Sequence, residues 1–458
     1  MSTQNKSLLA KWIVIFAVAI AVQFIPASEV LTPALKVFFS ITVFCIFMMV
    51  FGVLDTAVIS LILMFGYAIS GIAPLGTVLS SWENPVVWII LGCFILVNIV
   101  KRTTILDRIA CWCVILTGGS YRGLIMGMIL LGAVTNILIP GTLIGVMLLG
   151  LAYSVCEALD LGKSKAACGI MCAVLFGLFD SGNFIYTPGW ISVLYGVIGG
   201  VMDISTAYSK YFIDNIIFIP LMFIQGFILS VVMKPEKEMN GKQFFIDKKN
   251  ALGKMTVTDK KVFIVLLLFM VFLFTTQWTG IPMVYGFIVV PILFFLPGMD
   301  IAQKEDIQTA NWPLLLFIVA CMSIGTVGNS LGVGNLIQTV LLPLVENAGS
   351  TVVIMVIMLF TTISNFVLTP GAICSIFGLP LVGLAESLNM SIYPLVYAVY
   401  QGSANIIMPH EIALTLALFG FGNVTMKDFM ISWGVKMIFA FIFMLCLGIP
   451  YWKLIGLL

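Results

Sequence analysis

The sequence predicts an all-α polytopic membrane protein, with about eleven transmembrane helices and two re-entrant hairpins arranged as two inverted repeats. Three observations support this class. Of the 458 residues, 61% are hydrophobic and only 9% are charged. Apolar runs of about 20 residues recur along the whole chain, and two long, interrupted apolar segments occupy corresponding positions in its two halves. A soluble domain carries roughly 25% charged residues, so this few charges can cover only a protein whose surface faces lipid.

The first half begins with a transmembrane helix within residues 1–28, followed by a predicted repeat over residues 29–233. Lys6 and Lys11 before an apolar stretch also fit a cleavable signal peptide, but the membrane-like chain beyond them favours an uncleaved helix. The elements of this half are four simple spans, one amphipathic stretch, two interrupted segments and a last clean span. They lie at 9–25, 31–51, 55–73, 85–100, 103–116, 122–157, 165–200 and 211–233.

The second half follows a polar linker at 234–259 and forms a second predicted repeat over residues 260–458. Its elements lie at 260–278, 281–297, 312–327, 333–345, 350–388, 392–420 and 428–450. Segments 122–157 and 350–388 are too long for one crossing and too broken for two ideal helices. Each is predicted to be a re-entrant hairpin, because non-helical backbone at membrane depth is tolerated only where it is buried or lines a cavity. Segments 165–200 and 392–420 are predicted to be broken helices.

The basic residues predict the orientation of the chain. With a cytoplasmic N-terminus, all but three of the 22 Lys and Arg residues fall on the cytoplasmic side, including the linker and Lys436. The exceptions are Lys36, Lys210 and Lys453. Cytoplasmic loops carry an excess of Lys and Arg. The sequence therefore predicts a plasma-membrane protein with a cytoplasmic N-terminus and an extracytoplasmic C-terminus.

The interrupted segments of the two halves share motifs. Residues 135–142 read Thr-Asn-Ile-Leu-Ile-Pro-Gly-Thr, and residues 364–372 read Ser-Asn-Phe-Val-Leu-Thr-Pro-Gly-Ala. Residues 181–188, Ser-Gly-Asn-Phe-Ile-Tyr-Thr-Pro, match residues 403–409, Ser-Ala-Asn-Ile-Ile-Met-Pro. An odd number of crossings per half makes the repeat inverted. Broken apolar segments at corresponding positions are typical of a transporter site. The alternative, that Asn, Pro and Gly merely kink packed helices, accounts less well for four motifs in two-fold register.

These motifs provide the chemistry to bind an ion. Half-helix N-termini supply free N–H groups and a positive dipole end for an anion, while unwound carbonyl groups can hold a cation. Asp180, His410 and Glu411 adjoin the two breaks, and ionisable groups at membrane depth are costly and mark function by default. A structural role stays open for each of them. The predicted ion-coupling residues are Asp180, Ser181, Asn183, Ser403, Asn405 and Glu411.

A family resemblance is carried by the hairpin motifs and by two further segments. Residues 84–96, Asn-Pro-Val-Val-Trp-Ile-Ile-Leu-Gly-Cys-Phe-Ile-Leu, run into the amphipathic segment 101–109, and residues 311–317 open the matching part of the second half. Over nearly its whole length the chain resembles the divalent anion–sodium symporter family of dicarboxylate, citrate and sulfate carriers, within the ion transporter superfamily. The resemblance implies a homodimer whose protomers each combine a scaffold domain with a moving transport domain.

The resemblance also implies roles for the hairpin tips. The family's Ser-Asn-Thr signatures read Thr135-Asn136-Ile137 and Ser364-Asn365-Phe366 here, so Asn136 and Asn365 are expected to bind substrate or Na⁺. Replacement of the final Thr by Ile or Phe departs from the pattern associated with C4-dicarboxylates. The substrate-binding residues expected from the four motifs are Asn136, Asn365, Thr135, Ser364, Thr142, Thr369, Pro188 and Pro409.

The expected function is secondary active transport of a small organic anion, di- or tricarboxylate-like, coupled to Na⁺ by an elevator-type alternating-access mechanism. An anion exchanger or a proton-coupled carrier is the alternative. No nucleotide-binding loop, HExxH or Gly-x-Ser-x-Gly motif is present, which argues against an enzyme. The paired re-entrant motifs argue against a channel. The expected partners are the anion, Na⁺, the lipid bilayer and a second copy of the chain, with no cofactor and no nucleic acid.

Overall fold

The computed structural model describes residues 3–28, 31–139, 144–198, 201–202, 207–236, 239–333, 348–366 and 368–458, together with residues 336, 339 and 343. Within these ranges the chain is helical, and the only β-type pairing is an isolated bridge between Ser120 and Asn240. Of the predicted amphipathic stretch 333–345, only the residues in these ranges are described.

Several of the helices are long and apolar enough to cross a membrane. Five helical stretches in the described part of the chain qualify, and up to seven do if each of two bent helix pairs is one span. The five are Tyr121–Leu138, Ala207–Val232, Val257–Thr279, Trp312–Ser330 and Met426–Leu454. Shorter apolar helices occupy most of the other predicted spans. The total of eleven crossings and the inverted repeat stay predictions.

The chain forms two compact units, each built from segments of both sequence halves. Unit 1 comprises Met1–Val87, Ser192–Met202 and Asn311–Tyr400. Its main helices are α1 (Thr3–Ala21), α2 (Pro33–Phe51), α3 (Thr56–Ile69), α4 (Leu75–Leu79), most of α10 (Trp190–Ile198), α17 (Trp312–Ser330), α18 (Ser350–Ser364), α19 (Pro370–Ser387) and most of α20 (Ile392–Ser403).

The core of unit 1 is organised around α17, which packs against both α3 and α19. Val197 of α10 lies in a notch between two glycines, because a Cβ added at Gly325 or at Gly378 would lie 2.8 Å from its Cγ1. A buried hydrogen bond of 2.6 Å joins the hydroxyls of Thr42 and Tyr67, so the polar groups of α2 and α3 are paired inside the unit. Such pairing is required where no water reaches the backbone or side chains.

Unit 2 comprises Trp88–Ile191, Asp203–Ala310 and Gln401–Leu458. Its helices are most of α5 (Pro85–Val100), α6 (Ile105–Thr117), α7 (Tyr121–Leu138), α8 (Gly145–Ala158), α9 (Lys165–Ser181), α11 (Ala207–Asn215), α12 (Ile219–Val232), α13 (Lys242–Leu252), α14 (Val257–Thr279), α15 (Met283–Leu293), α16 (Lys304–Gln308), α21 (Ala413–Gly420), α22 (Met426–Phe443) and α23 (Ile449–Leu454).

The turn between α5 and α6 is fixed by charges from the second half of the sequence. Arg102 forms a 2.8 Å ion pair with Asp306, which also caps α16. Thr104 donates from both its backbone and its hydroxyl to Asp259, which completes the capping box of α14, at 3.0 and 2.8 Å. The acidic caps of two helices therefore also anchor the α5–α6 turn.

The polar linker contains a helix that the sequence reading left unassigned. Helix α13 occupies residues 242–252 and packs against α6, with Phe245 fully buried. The guanidinium group of Arg108 donates to the carbonyl groups of Leu252, Gly253 and Lys254 at 2.9–3.1 Å, which holds the end of this helix. One buried aromatic side chain and these backbone contacts order a segment whose composition is that of a loop.

The four interrupted segments each contain a break. Segment 122–157 comprises α7 and α8, and segment 350–388 comprises α18 and α19. Segment 165–200 comprises α9 and α10, separated by residues 182–189, which form turns and extended backbone. Segment 392–420 comprises α20 and α21, separated by extended backbone and a 3₁₀ turn at Pro409–Glu411. These breaks position the polar residues of the motifs.

Candidate functional site

Helices α7 and α9 of unit 2 cross in direct backbone contact because glycines face each other. A Cβ added at Gly177 would lie 1.9 Å from the carbonyl oxygen of Ile129. A Cβ added at Gly132 would lie 2.3 Å from the carbonyl oxygen of Val174. Small residues at helix crossings let backbones approach closely in membrane proteins. The glycines therefore determine how near the first hairpin lies to the end of α9.

This crossing brings Asn136 to the C-terminal end of α9. The Asn136 side-chain nitrogen donates to the Leu178 carbonyl at 3.0 Å and to the Ser181 hydroxyl at 2.9 Å. The Ser181 hydroxyl in turn donates to the Leu178 carbonyl at 3.0 Å. Asn136 and Ser181 are both buried. The amide nitrogen is committed to the protein, so a bond from this nitrogen to a bound anion would have to replace one of these contacts.

Thr135 adds a polar group beside this cluster. Its side chain is fully buried, and its hydroxyl oxygen has no hydrogen-bond partner in the described structure. The large majority of buried polar side-chain atoms are paired with protein or with ordered water. The unpaired buried hydroxyl of the residue that precedes Asn136 in α7 is therefore a group available to a water or an ion.

The residues that follow α9 are buried, and one of their carbonyl groups accepts a hydrogen bond from α11. The Tyr211 hydroxyl of α11 donates to the Gly182 carbonyl at 2.7 Å, inside the unit. Asn183 is buried, and its side-chain oxygen has no hydrogen-bond partner in the described structure. Thr187 and Pro188 are also buried. The predicted break thus places amide, hydroxyl and backbone carbonyl groups in the protein interior.

Asp180 is paired with a buried lysine, Lys436 of α22. Lys436 Nζ lies 2.6 Å from Asp180 Oδ1, and both side chains are at most 4% exposed. Lys436 Nζ also lies 5.5 Å from the Phe176 ring centroid and 5.7 Å from that of Trp433. The charge count included Lys436 in the cytoplasmic set, whereas the structure buries this residue inside α22, where an acidic partner and aromatic faces offset its burial.

Glu411 accepts hydrogen bonds from the backbone of the second break, between α20 and α21. Backbone N–H groups of Ile407 and Met408 donate to its carboxylate at 3.2 and 2.8 Å. Glu411 is 2% exposed, so this carboxylate fixes the unwound backbone between α20 and α21. Ser403 and Asn405 are buried nearby in the chain. The side chain of His410 lies outside the described residues.

The first hairpin, the end of α9 and the start of α21 meet at Gly145. A Cβ added there would lie 2.4 Å from Leu414 Cδ2 and 3.0 Å from Leu178 Cδ2. Gly145 opens α8, directly after residues 140–143, so Thr142 lies outside the described residues. The two breaks within unit 2 are thus joined through the second helix of the hairpin.

The segment 350–388, predicted as the second hairpin, lies in unit 1. Asn365 follows the last residue of α18 and is 1% exposed. The preceding Ser364 is half-buried, and its hydroxyl donates back to the Phe360 carbonyl at 2.8 Å. Thr369 is exposed and caps α19, with its hydroxyl accepting from Ala372 N at 3.4 Å. The predicted Ser-Asn and Thr-Pro positions therefore lie at a helix C-terminus and a helix N-terminus.

The two compact units divide the predicted site residues. Unit 2 holds Thr135, Asn136, Asp180, Ser181, Asn183, Pro188, Ser403, Asn405, Pro409 and Glu411. Unit 1 holds Ser364, Asn365 and Thr369. No group of three or more His, Cys, Asp or Glu side chains in the described ranges could hold a metal ion. Sequence reasoning did not identify Lys436 as a site residue. The available signal was the presence of a lysine within the apolar run 428–450.

Comparisons with known proteins bear on the family and the fold of the chain. The model of a family described as citrate transporter, CitMHS, matches residues 46–402. The crystal structure of the YdaH transporter from Alcanivorax borkumensis superposes with a TM-score of 0.55, at 13% sequence identity, over 98% of each chain. No curated protein sequence matches. The predicted resemblance to a family of anion carriers and the predicted all-α polytopic fold are both confirmed.

Proposed function

The chain belongs to the citrate transporter family, and from that premise we propose that it carries a small di- or tricarboxylate anion, such as citrate, across the plasma membrane. Its place in that family and its fold support a secondary carrier of anions. Beyond this, we propose the carboxylate substrate class, coupling to Na⁺ and an elevator-type movement.

One observation carries the proposal. In unit 2, Asn136 at the hairpin tip is tied by two hydrogen bonds to the end of α9, beside the buried and unpaired hydroxyl of Thr135. Non-helical, polar backbone inside a membrane protein is tolerated where it lines a cavity or is buried in protein. Broken helices at such positions form the substrate and ion sites of many secondary transporters.

We assign the anion to helix N-termini and neutral donors. The four motifs, at 135–142, 181–188, 364–372 and 403–411, contain no Lys or Arg. Helix N-termini offer free N–H groups and a partial positive charge to carboxylates. The start of α19 at Pro370, capped by Thr369, provides such an end in unit 1.

We assign Na⁺ to the helix C-termini. Asn136 lies in the last turn of α7 and Asn365 caps the end of α18. The C-terminal end of a helix carries a partial negative charge, and unwound carbonyl groups coordinate Na⁺ in transporters with broken helices. The free hydroxyl of Thr135 supplies one further oxygen ligand next to Asn136.

Anion exchange or proton-coupled transport is the second candidate function. The observation that favours it is the ion pair between Asp180 and Lys436, since this acidic residue already has a cation within the protein. A carrier with an internal cation at such a position can cycle without binding Na⁺ there.

The remaining parts of the proposal follow from the resemblance. Division of the chain into two compact units is compatible with a transport domain that moves against a scaffold. We further propose that two copies assemble as a homodimer, with cytoplasmic N-termini and extracytoplasmic C-termini. The mass of the detergent-solubilised particle, corrected for detergent, tests the dimer.

Uptake by proteoliposomes tests the function. Radiolabelled citrate and succinate are offered while Na⁺, H⁺ and counter-anion gradients are imposed in turn. We expect Na⁺-driven uptake of at least one of these anions. Uptake only against an internal anion would establish the exchanger, and uptake only with a proton gradient would establish proton coupling. Absence of carboxylate uptake under every gradient would contradict the proposal.

A pair of threonine variants tests the Na⁺ site. Thr135→Val removes the unpaired hydroxyl with little change of shape, so the Na⁺ concentration that gives half-maximal uptake should rise at least about tenfold, the equivalent of about 1.4 kcal/mol. Thr276→Val is the matched control, because Thr276 is also buried in unit 2 but its hydroxyl bonds to Leu273 of its own helix. Equal Na⁺ dependence of the two variants would remove Thr135 from the site.

A further inference from the structure

We propose that Lys436 is an internal counter-cation, whose ammonium group occupies the cation position beside Asp180 and prevents this carboxylate from taking up Na⁺. The inference rests on the proposed function as an ion-coupled carrier, and it assigns the selectivity of one ion position to one side chain. Removal of the ammonium should turn the position into a Na⁺ site.

The geometry around the pair is that of an occupied cation site. Lys436 Nζ lies 2.6 Å from Asp180 Oδ1, the distance of a close ion pair. The ammonium also faces the rings of Phe176 and Trp433, with 5.5 and 5.7 Å to their centroids. Aromatic faces attract cations, most strongly where water is excluded. Carboxylate and rings together surround one positive charge.

The position of the pair connects it with the candidate transport site. Asp180 immediately precedes Ser181, whose hydroxyl accepts the hydrogen bond from Asn136 at 2.9 Å. Both residues lie at the C-terminal end of α9, where the helix dipole adds negative potential to that of the carboxylate. A coupling cation would be attracted to this end of the helix, and in this chain the ammonium of Lys436 takes that place.

A small cavity lies next to the lysine. It measures about 10 Å³ and is lined by Phe176, Gln225, Ser432 and Lys436, among others. The side-chain oxygen of Gln225 has no hydrogen-bond partner in the described structure, although this residue is 2% exposed. Removal of the Lys436 ammonium would enlarge this space beside polar groups, so a bare Na⁺ ion could enter. The same space makes replacement of the ammonium by Na⁺ sterically possible.

Neutralisation of one or both partners separates this role from a purely structural ion pair. Lys436→Met keeps an unbranched side chain that ends one atom earlier, so it removes the ammonium group and leaves the Asp180 carboxylate without a counter-ion. An unpaired buried charge is strongly unfavourable, so the variant should bind Na⁺ from solution. The double variant Asp180→Asn/Lys436→Met has no carboxylate to neutralise and should not bind Na⁺ at this position. Lys453→Met, at an exposed lysine, is the control.

The experiment measures thermal unfolding midpoints of the purified full-length protein in NaCl and in choline chloride. We expect Na⁺ to raise the midpoint of Lys436→Met by at least about 2 °C more than that of the wild type. The double variant and Lys453→Met should show only the wild-type response to Na⁺. An equal response of Lys436→Met and the double variant would overturn the inference.

The folding of the variants adds three further outcomes. If Lys436→Met folds only when Na⁺ is present while the double variant folds in both salts, the inference is supported. If Lys436→Met fails to fold in either salt while the double variant folds, the pair is structural and the inference is wrong. If the double variant also fails to fold, Asp180→Lys/Lys436→Asp is measured instead, and a folded swapped pair with an added Na⁺ response overturns the inference. Because these measurements require no transport, failure of the proposed function would show separately, as absent uptake by the wild type.

Discussion

The glycine crossing of α7 and α9 leads to a sharp prediction for Gly177→Ala. The new Cβ would lie 1.9 Å from the Ile129 carbonyl oxygen, whereas carbon and oxygen atoms in contact are about 3.3 Å apart. The two helices would therefore have to separate by about 1.4 Å. The hydrogen bonds of Asn136, now 2.9 and 3.0 Å long, would lengthen to about 4 Å and be lost.

The change in the free energy of unfolding caused by Gly177→Ala has three contributions. Overpacking in a close-packed interior costs about 1–3 kcal/mol. Loss of two side-chain hydrogen bonds in a membrane protein costs about 0.6 kcal/mol each on average. The better helix propensity of Ala offsets at most about 1 kcal/mol. We expect Gly177→Ala to lower the free energy of unfolding by about 2–3 kcal/mol and to abolish uptake in the protein that remains folded.

The assay compares Gly177→Ala with Gly150→Ala in proteoliposomes, with uptake normalised to folded protein, and in thermal unfolding. Gly150 is the matched control because it also lies inside a helix of unit 2, and a Cβ added there meets no atom within 4 Å. Gly150→Ala should leave uptake unchanged and stabilise the protein by up to about 1 kcal/mol. Wild-type uptake and stability in Gly177→Ala would refute the role of the crossing in placing Asn136.

Three further predictions concern other parts of the chain. Tyr211→Phe should lower the free energy of unfolding by about 1–3 kcal/mol, because the 2.7 Å hydrogen bond to the Gly182 carbonyl is lost; an unchanged thermal midpoint would contradict this. Asn365→Ala should abolish uptake while the thermal midpoint stays near that of the wild type, and normal uptake would remove Asn365 from the site. A cysteine introduced by Asn250→Cys should resist an impermeant thiol reagent added to intact cells and react after permeabilisation, and labelling from outside would place the linker on the other face.

The sequence by itself determined where the helices lie and where they break. Apolar runs mark the helices, and in the structure the side chains of Ser120, Ser164 and Thr369 each cap the helix that follows. Prolines and glycines in the four motifs mark the interruptions. These features are local, because hydropathy, helix propensity and capping each depend on a few neighbouring residues. The linker helix α13 lacked such a signal, since its order depends on contacts of Phe245 and Arg108 with distant segments.

Only the tertiary structure decided which polar groups meet. The hydrogen-bond partners of Asn136 depend on the close crossing of α7 and α9 at Gly132 and Gly177. No local sequence pattern shows that these two helices cross. Charge counting included Lys436 in the cytoplasmic set because cytoplasmic loops carry an excess of Lys and Arg. Its partner Asp180 is far away in the sequence, and the energy that permits its burial arises only when α9 and α22 pack together. Pairwise interactions between distant residues are therefore what the composition and periodicity of this chain could not reveal.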